Sequence, residues 1–252
     1  MINIHPSAKI SNLAIIGFIP ENFKDEREFD TTIDENCVIE PFVIVYAGSY
    51  IKKNTIVKSG AQIGVTPKIK PELIGAKIGE NSHILSNAII EADVETGEKF
   101  TADQNSFVQF GCRFGDFVGI GQSAVILSYA KIGSKVRIHT LTMIGDYVTI
   151  GNNCFIGPNC NLTNAPHPKC PQIKICEKDY AVKLKDNIRI GANATILPGV
   201  IINNNVIVGS GSVVTKTVEE GIVIIGNPAK IIKETKDLIC WDKEKYNIER
   251  PY

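Results

Sequence analysis

Apolar residues recur at every sixth position along most of the chain. Between Ile78 and Leu162, fifteen consecutive positions keep this spacing without a change of phase, and most of them are isoleucine, valine or leucine. The fourth residue after most of these positions is small or β-branched, as at Ser82, Ala88 and Val94. Three units of six make one triangular coil whose short flat strands stack on those of the next coil. The pattern therefore predicts a three-sided β-solenoid.

The same spacing continues in other phases on both sides of this block. One further block begins at Ile4, and two others cover residues 33–63 and 184–214. Together they amount to about thirty units, hence about ten coils and a prism about 48 Å long at roughly 4.8 Å per coil. A glycine follows many of the large apolar residues, as at Gly79 and Gly133. We expect these glycines to occupy corners where a side chain would be strained.

Three stretches interrupt the repeat. They are the charged stretch between Phe18 and Thr32, a Pro/Lys stretch between Ile63 and Ile78, and a segment with two cysteines between His167 and Leu184. We expect all three to be loops that leave the prism. Because a solenoid wall cannot easily enclose a ligand, such loops are where substrate pockets can form.

The repeat leaves no linker, so the sequence predicts one solenoid domain, residues 1–227, and a C-terminal cap, residues 228–252. From Pro228 onward the pattern resembles that of a helix and leads into a polar, aromatic tail. We expect this helical cap to cover the open end of the prism, because exposed strand edges invite aggregation.

The composition gives no electrostatic reason to expect nucleic acid or a membrane surface as a partner. Lys plus Arg and Asp plus Glu are 27 each, and the formal net charge is zero. No apolar run is long enough for a transmembrane helix and no signal-peptide layout is present, so the expected location is the cytoplasm. Disulfides are not expected, because four of the seven cysteines fall at the small inward positions: Cys37, Cys112, Cys154 and Cys160.

Three C-terminal motifs carry a resemblance to a known family. They are Ile190-Gly-Ala-Asn-Ala-Thr-Ile-Leu-Pro-Gly-Val200, Val208-Gly-Ser-Gly-Ser-Val-Val-Thr-Lys216 and Ile225-Gly-Asn-Pro-Ala-Lys230. With the hexads, they resemble the hexapeptide-repeat acyltransferases over about residues 1 to 232. The resemblance implies an all-β fold, a left-handed parallel β-helix, that forms homotrimers and takes an acyl group from coenzyme A. Only the resemblance indicates the hand, because the usual crossover rule would favour the right hand.

The segment from Leu162 to Cys170 resembles a subgroup of that family. It reads Leu-Thr-Asn-Ala-Pro-His-Pro-Lys-Cys and is similar to the N-acetyltransferases of nucleotide-linked amino sugars, which use acetyl-CoA and act on a dTDP- or UDP-sugar. The spacing from Pro158 to His167 also resembles galactoside and maltose O-acetyltransferases, whose catalytic histidine lies at this place. Transfer to an amino group and transfer to a hydroxyl therefore both stay open.

Histidine is the natural general base near neutral pH, and the chain has four. His167 ends the last hexad before the third loop, where Pro168 restricts its backbone, so it is our candidate for the base or a substrate-orienting group. His139 stands where neighbouring units have glycine and should project outward. Asn164 could orient the imidazole or hold a sugar hydroxyl. His5 and His83 are weaker candidates. We expect His5 at a surface corner, and His83 has no defined role.

An amine nucleophile lowers the demand on any base. It can bind already deprotonated or lose its proton late to the departing thiolate, in which case no single histidine is essential.

Coenzyme A is expected in the groove between two prisms, near the C-terminal coils. Its pantetheine amides could pair with exposed backbone where side chains are small, and lysines could meet a phosphate. By the family pattern, the residues near the cofactor are Gly191, Ala192, Ser210, Thr215, Lys216 and Lys230.

Three other interpretations deserve comparison. A γ-type carbonic anhydrase needs three converging histidines, and the chain lacks the close pair that such a site resembles. A zinc site at His167, Cys170 and Cys176 would lack a fourth ligand and has irregular spacing. A non-enzymatic scaffold would have smooth repeats, without the third loop and the cofactor-like motifs.

Overall fold

The chain winds into a three-sided parallel β-helix of about ten coils. The computed structural model describes residues 1–20, 29–72 and 74–239. In chain order each coil contributes one short strand to face A, one to face B and one to face C, and every strand pairs with strands of the coils beside it. The solenoid predicted from the period of six is confirmed.

The strands are short, and most contain two residues. Face A holds Ile2–Ile4, Thr31–Ile33, Tyr50–Ile51, Lys77–Ile78, Arg113–Phe114, Lys131–Ile132, Thr149–Ile150, Lys183–Leu184 and Ile201–Ile202. Face B holds Lys9–Ile10, Val38–Ile39, Ile56–Val57, His83–Ile84, Thr101–Ala102, Gly119–Ile120, Arg137–Ile138, Phe155–Ile156, Arg189–Ile190, Ile207–Val208, Ile222–Ile225 and Lys230–Glu234. Face C holds Ile15–Phe18, Ile44–Tyr46, Gln62–Val65, Ile89–Glu91, Phe107–Val108, Val125–Ile126, Met143–Ile144, Asn161–Leu162, Thr195–Ile196 and Val213–Val214.

The register places identical hexad positions directly above one another. Lys131 pairs with Thr149 and Ile132 with Ile150, and the same offset recurs along the prism. In each two-residue strand the second residue points inward. Columns of isoleucine therefore fill the interior, and members such as Ile138 are fully buried. The four cysteines predicted at small inward positions are buried as well, and burial raises the pKa of the Cys112 thiol to about 12.

Backbone strain lies at a different hexad position from the one predicted. The third residue after the inward apolar residue has a positive φ in most units, at Asn81 and Leu141 for example, whereas Gly79 and Gly133 do not. Those glycines are needed for space: a Cβ on Gly133 would lie 2.8 Å from the carbonyl carbon of Gly151 in the next coil. Asparagine tolerates the left-handed conformation better than other non-glycine residues, and it fills many of the strained positions.

Side-chain ladders close the edge between faces A and B. The residue two positions after the inward one accepts a hydrogen bond from the backbone N–H of its counterpart one coil earlier, at 2.6–3.0 Å. The acceptors are Asp116, Ser134, Asn152, Asp186 and Asn204. Corner N–H groups that would otherwise lack a partner are satisfied in this way.

All three interruptions leave the prism at the same edge, between faces C and A. Strands on either side of them end at Phe18, Val65 and Leu162 on face C, and the chain resumes on face A. The third excursion, residues 163–182, contains the helix α1, Ile173–Asp179, which has no buried residue. It is fastened to the following coil where Gly199 N–H donates to the Tyr180 carbonyl at 2.6 Å. The prediction of protruding loops is confirmed where the residues are described; residues 21–28 lie outside that part.

The predicted C-terminal helix is wrong for the part that the structure describes. Residues Lys230–Glu234 form a strand antiparallel to Ile222–Ile225, and only Thr235–Asp237 form a short 3-10 helix. These residues read Lys-Ile-Ile-Lys-Glu, and β-branched isoleucines between charged residues suit a strand that caps a sheet edge, which explains the outcome. Residues 240–252 of the predicted cap lie outside the described residues. In the described ranges, no helix is both long and apolar enough to cross a membrane.

Leu141 tests the cost of the strained corner. Its φ is 60° and its side chain is 59% exposed, so Leu141→Asn removes strain without emptying the core. We expect the free energy of unfolding to rise by about 0.5–1 kcal/mol, measured by chemical denaturation. Leu13 has the same hexad position and is 53% exposed, but its φ is not positive. Leu13→Asn should give no gain; an equal gain there would show that strain is not the cause.

Candidate active site

His167 lies on the third excursion, beside the C–A edge. Its side chain is exposed and forms no hydrogen bond within the described residues. The peptide around it is ordered by its neighbours: the Cys170 N–H donates to the His167 carbonyl at 3.1 Å, and the Thr163 hydroxyl donates to the Ile196 carbonyl at 2.8 Å. The loop that carries His167 is therefore anchored, and its imidazole is available to a ligand.

Asn164 is buried, and its side chain hydrogen-bonds to Asp146. It is 8% exposed, and its Nδ2 donates to Asp146 Oδ2 at 3.2 Å. Asp146 Oδ1 in turn accepts the Ser128 N–H at 3.1 Å, which continues the corner ladder at the C–A edge. The amide of Asn164 is thus committed to Asp146 and does not hydrogen-bond to His167, so the predicted role of orienting the imidazole has no support in this chain. Asn164 instead fixes the start of the excursion.

Sequence reasoning missed the carboxyl groups behind this loop. Burial raises the pKa of Asp146, although backbone and side-chain hydrogen bonds from Ser128 and Asn164 oppose the rise. Burial also raises the pKa of Glu177 on α1, and the negative charge of Asp146 raises it further. The signal was the hexad position of Asp146, which is the ladder position that aspartate and asparagine occupy at the other edge.

An aromatic column runs along the same edge. The rings of Tyr129 and Tyr147 are stacked with centroids 5.1 Å apart, and Phe110 meets Tyr129 edge to face at 5.2 Å. Both tyrosines occupy the positive-φ position of successive coils, so the register stacks them. The C–A edge therefore combines the partly buried carboxyls of Asp146 and Glu177, a column of aromatic rings and the loop that carries His167.

His139 lies at the other edge of face C. It follows the face-B strand Arg137–Ile138, its Nδ1 accepts the Thr140 N–H at 3.0 Å, and its ring lies 6.1 Å from that of Phe155. Because Nδ1 is an acceptor, this geometry places the proton on Nε2. Face C separates His139 from His167, so a single chain does not bring the two predicted histidines together.

A shallow groove of about 460 Å³ lies on face B near the C-terminal end. Phe155, Gly191, Ile207 and Ser210 are among its lining residues. Gly191 is less open than predicted, since its N–H donates to the Val208 carbonyl at 2.8 Å and a Cβ there would lie 2.5 Å from the Ser210 nitrogen. The N–H of neighbouring Ala192 forms no hydrogen bond within the described residues and can still pair with a ligand.

The remaining predicted cofactor residues lie elsewhere. Thr215 and Lys216 follow the strand Val213–Val214 at the C–A edge, and Lys230 begins the last strand; all three are exposed. The predicted cofactor residues therefore lie at the B–C edge, at the C–A edge and in the hairpin formed by the last two strands. In the ranges that the structure describes, no three His, Cys, Asp or Glu residues are arranged to hold a metal ion, and the trio of His167, Cys170 and Cys176 gains no support.

The raised pKa of Asp146 makes stability depend on pH. The folded state keeps this proton to a higher pH than the unfolded chain, whose aspartate titrates near 3.8. As the pH rises from about 3.8 through the raised folded value, the unfolded state ionises first and the fold loses stability. Asp146→Asn removes this titration, so the variant should gain on the order of 1 kcal/mol in free energy of unfolding relative to the wild type across that window.

Denaturation of both proteins at several pH values between about 3.5 and 7 measures the gain. Asp116→Asn is the control, because Asp116 is a ladder residue at an exposed position. An equal pH-dependent gain for that variant would contradict the assignment to the burial of Asp146.

Comparison with known proteins gives relatives that cover parts of the chain. Galactoside O-acetyltransferase of Escherichia coli is 33% identical over 133 residues, which are 48% of this chain and 66% of that protein. The bifunctional protein GlmU of Clostridium botulinum is 29% identical over 205 residues, 81% of this chain and 41% of that protein. The chain thus spans less than two thirds of the length of these relatives. PerB from Caulobacter crescentus, solved in complex with CoA and GDP-perosamine, is similar over 53% of this chain and 57% of its own, with a TM-score of 0.46 and 24% identity.

A family model matches part of the repeat. Residues 129–164 and 181–216 match the model of the bacterial transferase hexapeptide (six repeats). The two matched stretches are the coils on either side of the excursion that carries His167, and in both of them inward apolar columns, corner ladders and positive-φ positions follow the six-residue period. Over these two stretches the chain is similar to the bacterial hexapeptide transferases, and its fold is the left-handed parallel β-helix.

Proposed function

We propose that this protein transfers an acyl group, in the first place acetyl, from coenzyme A to the amino group of a nucleotide-linked amino sugar. The observation that carries the proposal is the exposed imidazole of His167, which lies on an anchored excursion and has no hydrogen-bond partner among the described residues. The segment from Leu162 to Cys170, with its resemblance to such N-acetyltransferases, supports the acceptor class. The expected setting is the cytoplasm, and the expected role is the synthesis of surface polysaccharides or other glycans.

The chemistry sets the demands on the residues. The amine attacks the thioester carbonyl, a C–N bond forms, the C–S bond breaks, and the thiolate of coenzyme A leaves with the electron pair. His167 would take the proton that the nitrogen loses and pass it to the leaving sulfur. Because the side chain of Asn164 points to Asp146, no neighbouring side chain is seen to hold the imidazole in one orientation. An imidazole without a fixed orientation suits an amine acceptor, because an amine depends less on a general base than a hydroxyl does.

The groove on face B is our candidate for coenzyme A. It is open and lined by small or apolar residues together with the charged Arg189. The Ala192 N–H, which forms no hydrogen bond within the described residues, stands at its border as a donor for a pantetheine carbonyl. Apolar contact with Phe155 and Ile207 would supply the rest of the affinity. Lys216 and Lys230 remain candidates for phosphate contacts.

The separation of the histidines supports a homotrimer. His167 lies at the C–A edge and His139 at the B–C edge, so only a neighbouring prism could bring one histidine opposite the other. Three equal prisms around an axis would create three such clefts. Light scattering of a monomer at micromolar concentration would argue against a shared site.

Transfer to a hydroxyl is the second candidate. Galactoside O-acetyltransferase is the relative with 33% identity, and the place of His167 resembles that of the catalytic histidine in such enzymes. A mass-spectrometric screen with acetyl-CoA and a panel of amino-sugar nucleotides and simple glycosides separates the two, because product mass and fragmentation identify the acylated atom. A scaffold without activity would show neither product nor a rise in Tm with acetyl-CoA.

His167→Ala tests the base. We expect kcat to fall by about 10²–10⁴-fold with little change in KM, because the proton transfer is lost and binding is not. His83→Ala is the matched control, since His83 is also exposed and lies on face B many coils away. An unchanged kcat for His167→Ala would reject the base role and favour an amine that activates itself.

Ser210→Tyr tests the groove on face B. Ser210 is exposed, so a larger side chain can be accommodated by the fold but would occupy the groove. The KM for acetyl-CoA should rise at least about tenfold, with the acceptor KM nearly unchanged. Ser86→Tyr adds the same ring at the same hexad position of the same edge, six coils away, and should leave both constants unaltered. Equal effects of the two substitutions would exclude this groove as the cofactor site.

A further inference from the structure

The outward positions of face A form one column of mostly charged side chains. In consecutive coils the column reads Lys77, Glu95, Arg113, Lys131, Thr149 and Lys183. Residues in such a column lie about 4.8 Å apart, close enough for neighbouring charges to interact directly. Neighbouring side chains in the column therefore attract one another if their charges are opposite and repel one another if their charges are alike.

The first half of the column is balanced. Lys77 Nζ lies 2.8 Å from Glu95 Oε1, and Arg113 Nη2 lies 2.6 Å from Asp93 Oδ1. Arg113 also reaches Glu95, with Nε 4.0 Å from Oε2. Acidic side chains thus separate and neutralise these cations.

The second half of the column has no such anion. Lys131 and Lys183 are exposed, two coils or about 9.6 Å apart, and Thr149 stands between them where Glu95 stands in the first half. Neither lysine, nor Lys185 just beyond, forms an ion pair or hydrogen bond within the described residues. Like charges stacked without a counter-charge are unfavourable, so an external anion would stabilise this arrangement.

The one carboxylate in the same groove is already engaged. Asp186 Oδ1 accepts the Asn152 N–H at 2.6 Å and lies 3.3 Å from Asn152 Nδ2, as a member of the corner ladder. The groove itself measures about 580 Å³ and is open to solvent along face A. Its wall is low, because Gly133 and Gly151 follow the inward residues and carry no side chain.

The groove also borders the excursion that carries His167. That excursion returns to the prism at Lys183, and the stacked Tyr129 and Tyr147 stand two residues before Lys131 and Thr149. A ligand whose charged part lies on the lysines would therefore reach the C–A edge with its remainder. An anionic substrate of modest size fits this layout better than a nucleic acid, because the net charge of the chain is zero.

We propose that Lys131, Thr149 and Lys183 bind the diphosphate of a nucleoside diphosphate, as the part of the acceptor that directs its sugar toward the C–A edge. Two flexible ammonium groups can converge on one diphosphate from either side, and the threonine hydroxyl can donate to an oxygen between them. The inference rests on the proposed function for the identity of the acceptor, but the anion site can be tested alone. Coenzyme A also contains a diphosphate, so the test must separate the two sources.

Calorimetric titration of the full chain with UDP, dTDP and GDP, with uridine as the unphosphorylated probe, is the direct experiment. We expect at least one nucleoside diphosphate to bind, uridine to bind far more weakly, and the affinity to fall as salt is raised. Lys131→Gln and Lys183→Gln should each weaken binding about tenfold, because each removes a charged donor. Lys9→Gln, at the equivalent outward position of face B, should have no effect.

Thr149→Glu should lose binding while becoming more stable, so misfolding could not explain the loss. It supplies the missing anion, so thermal unfolding should move to a higher temperature while nucleoside diphosphate binding is lost. Thr195→Glu adds the same charge at the outward position of face C, where the neighbouring strand residues Asn161 and Val213 are uncharged, and should do neither. Binding that survives Thr149→Glu or both lysine substitutions would overturn the inference.

The outcomes distinguish this inference from the proposed function. If the lysine variants lose affinity for coenzyme A and retain it for nucleoside diphosphates, the site belongs to the donor and the inference is wrong. If the wild type acylates an acceptor but binds none of the nucleoside diphosphates, the inference fails while acyl transfer stands. If the variants lose nucleoside diphosphate binding but no acceptor is acylated, the anion site stands and the proposed function fails.

Discussion

The hydrogen bonds between successive coils are the constraint on which the rest of the structure depends. Each two-residue strand is far too short to persist alone, and its backbone groups are satisfied only by the coils above and below it. That pairing fixes the register, and the register then places every inward side chain on its counterpart one coil away. Stacked isoleucines, corner ladders and the crowding of one glycine against the next all follow from it. A side chain in this protein is therefore defined first by its position in the six-residue unit.

The same regularity explains why the chemistry collects at edges. Flat faces with paired backbones have few unused polar groups, whereas corners have free N–H groups, positive φ values and room for insertions. At the C–A edge three excursions leave the prism, and there Asn164 and Asp146 secure the beginning of the longest one. The partly buried carboxyls and the exposed imidazole thus arise from one local break in an otherwise uniform lattice.

The fold was predictable in more detail than the site, for a physical reason. Period, coil number, buried cysteines and loop positions depend on which residues point inward, and a one-dimensional pattern records this directly. The strained corner was placed two residues too early, because glycine can mark either an unusual φ or a close approach, and Gly133 serves the second purpose. The strand at 230–234 was taken for a helix, since its five residues, Lys-Ile-Ile-Lys-Glu, are too few to separate the two periods. The partnership of Asn164 with Asp146 and the distance of His139 from His167 depend on which edge each residue occupies. Edge assignment requires the starting phase of each block, and the excursions interrupt that phase.

The return of the chain after the third excursion has a further consequence. Thr149 pairs with Lys183 in the same register as any two neighbouring coils, although residues 163–182 come between their strands. The strand pairing in this column is the same as it would be without those residues. This segment could therefore be shortened, exchanged or grafted from a relative without changing the pitch of the prism. The loop that carries His167 and the mechanical integrity of the prism are then held by separate parts of the polypeptide, so the loop can vary while the prism keeps its pitch.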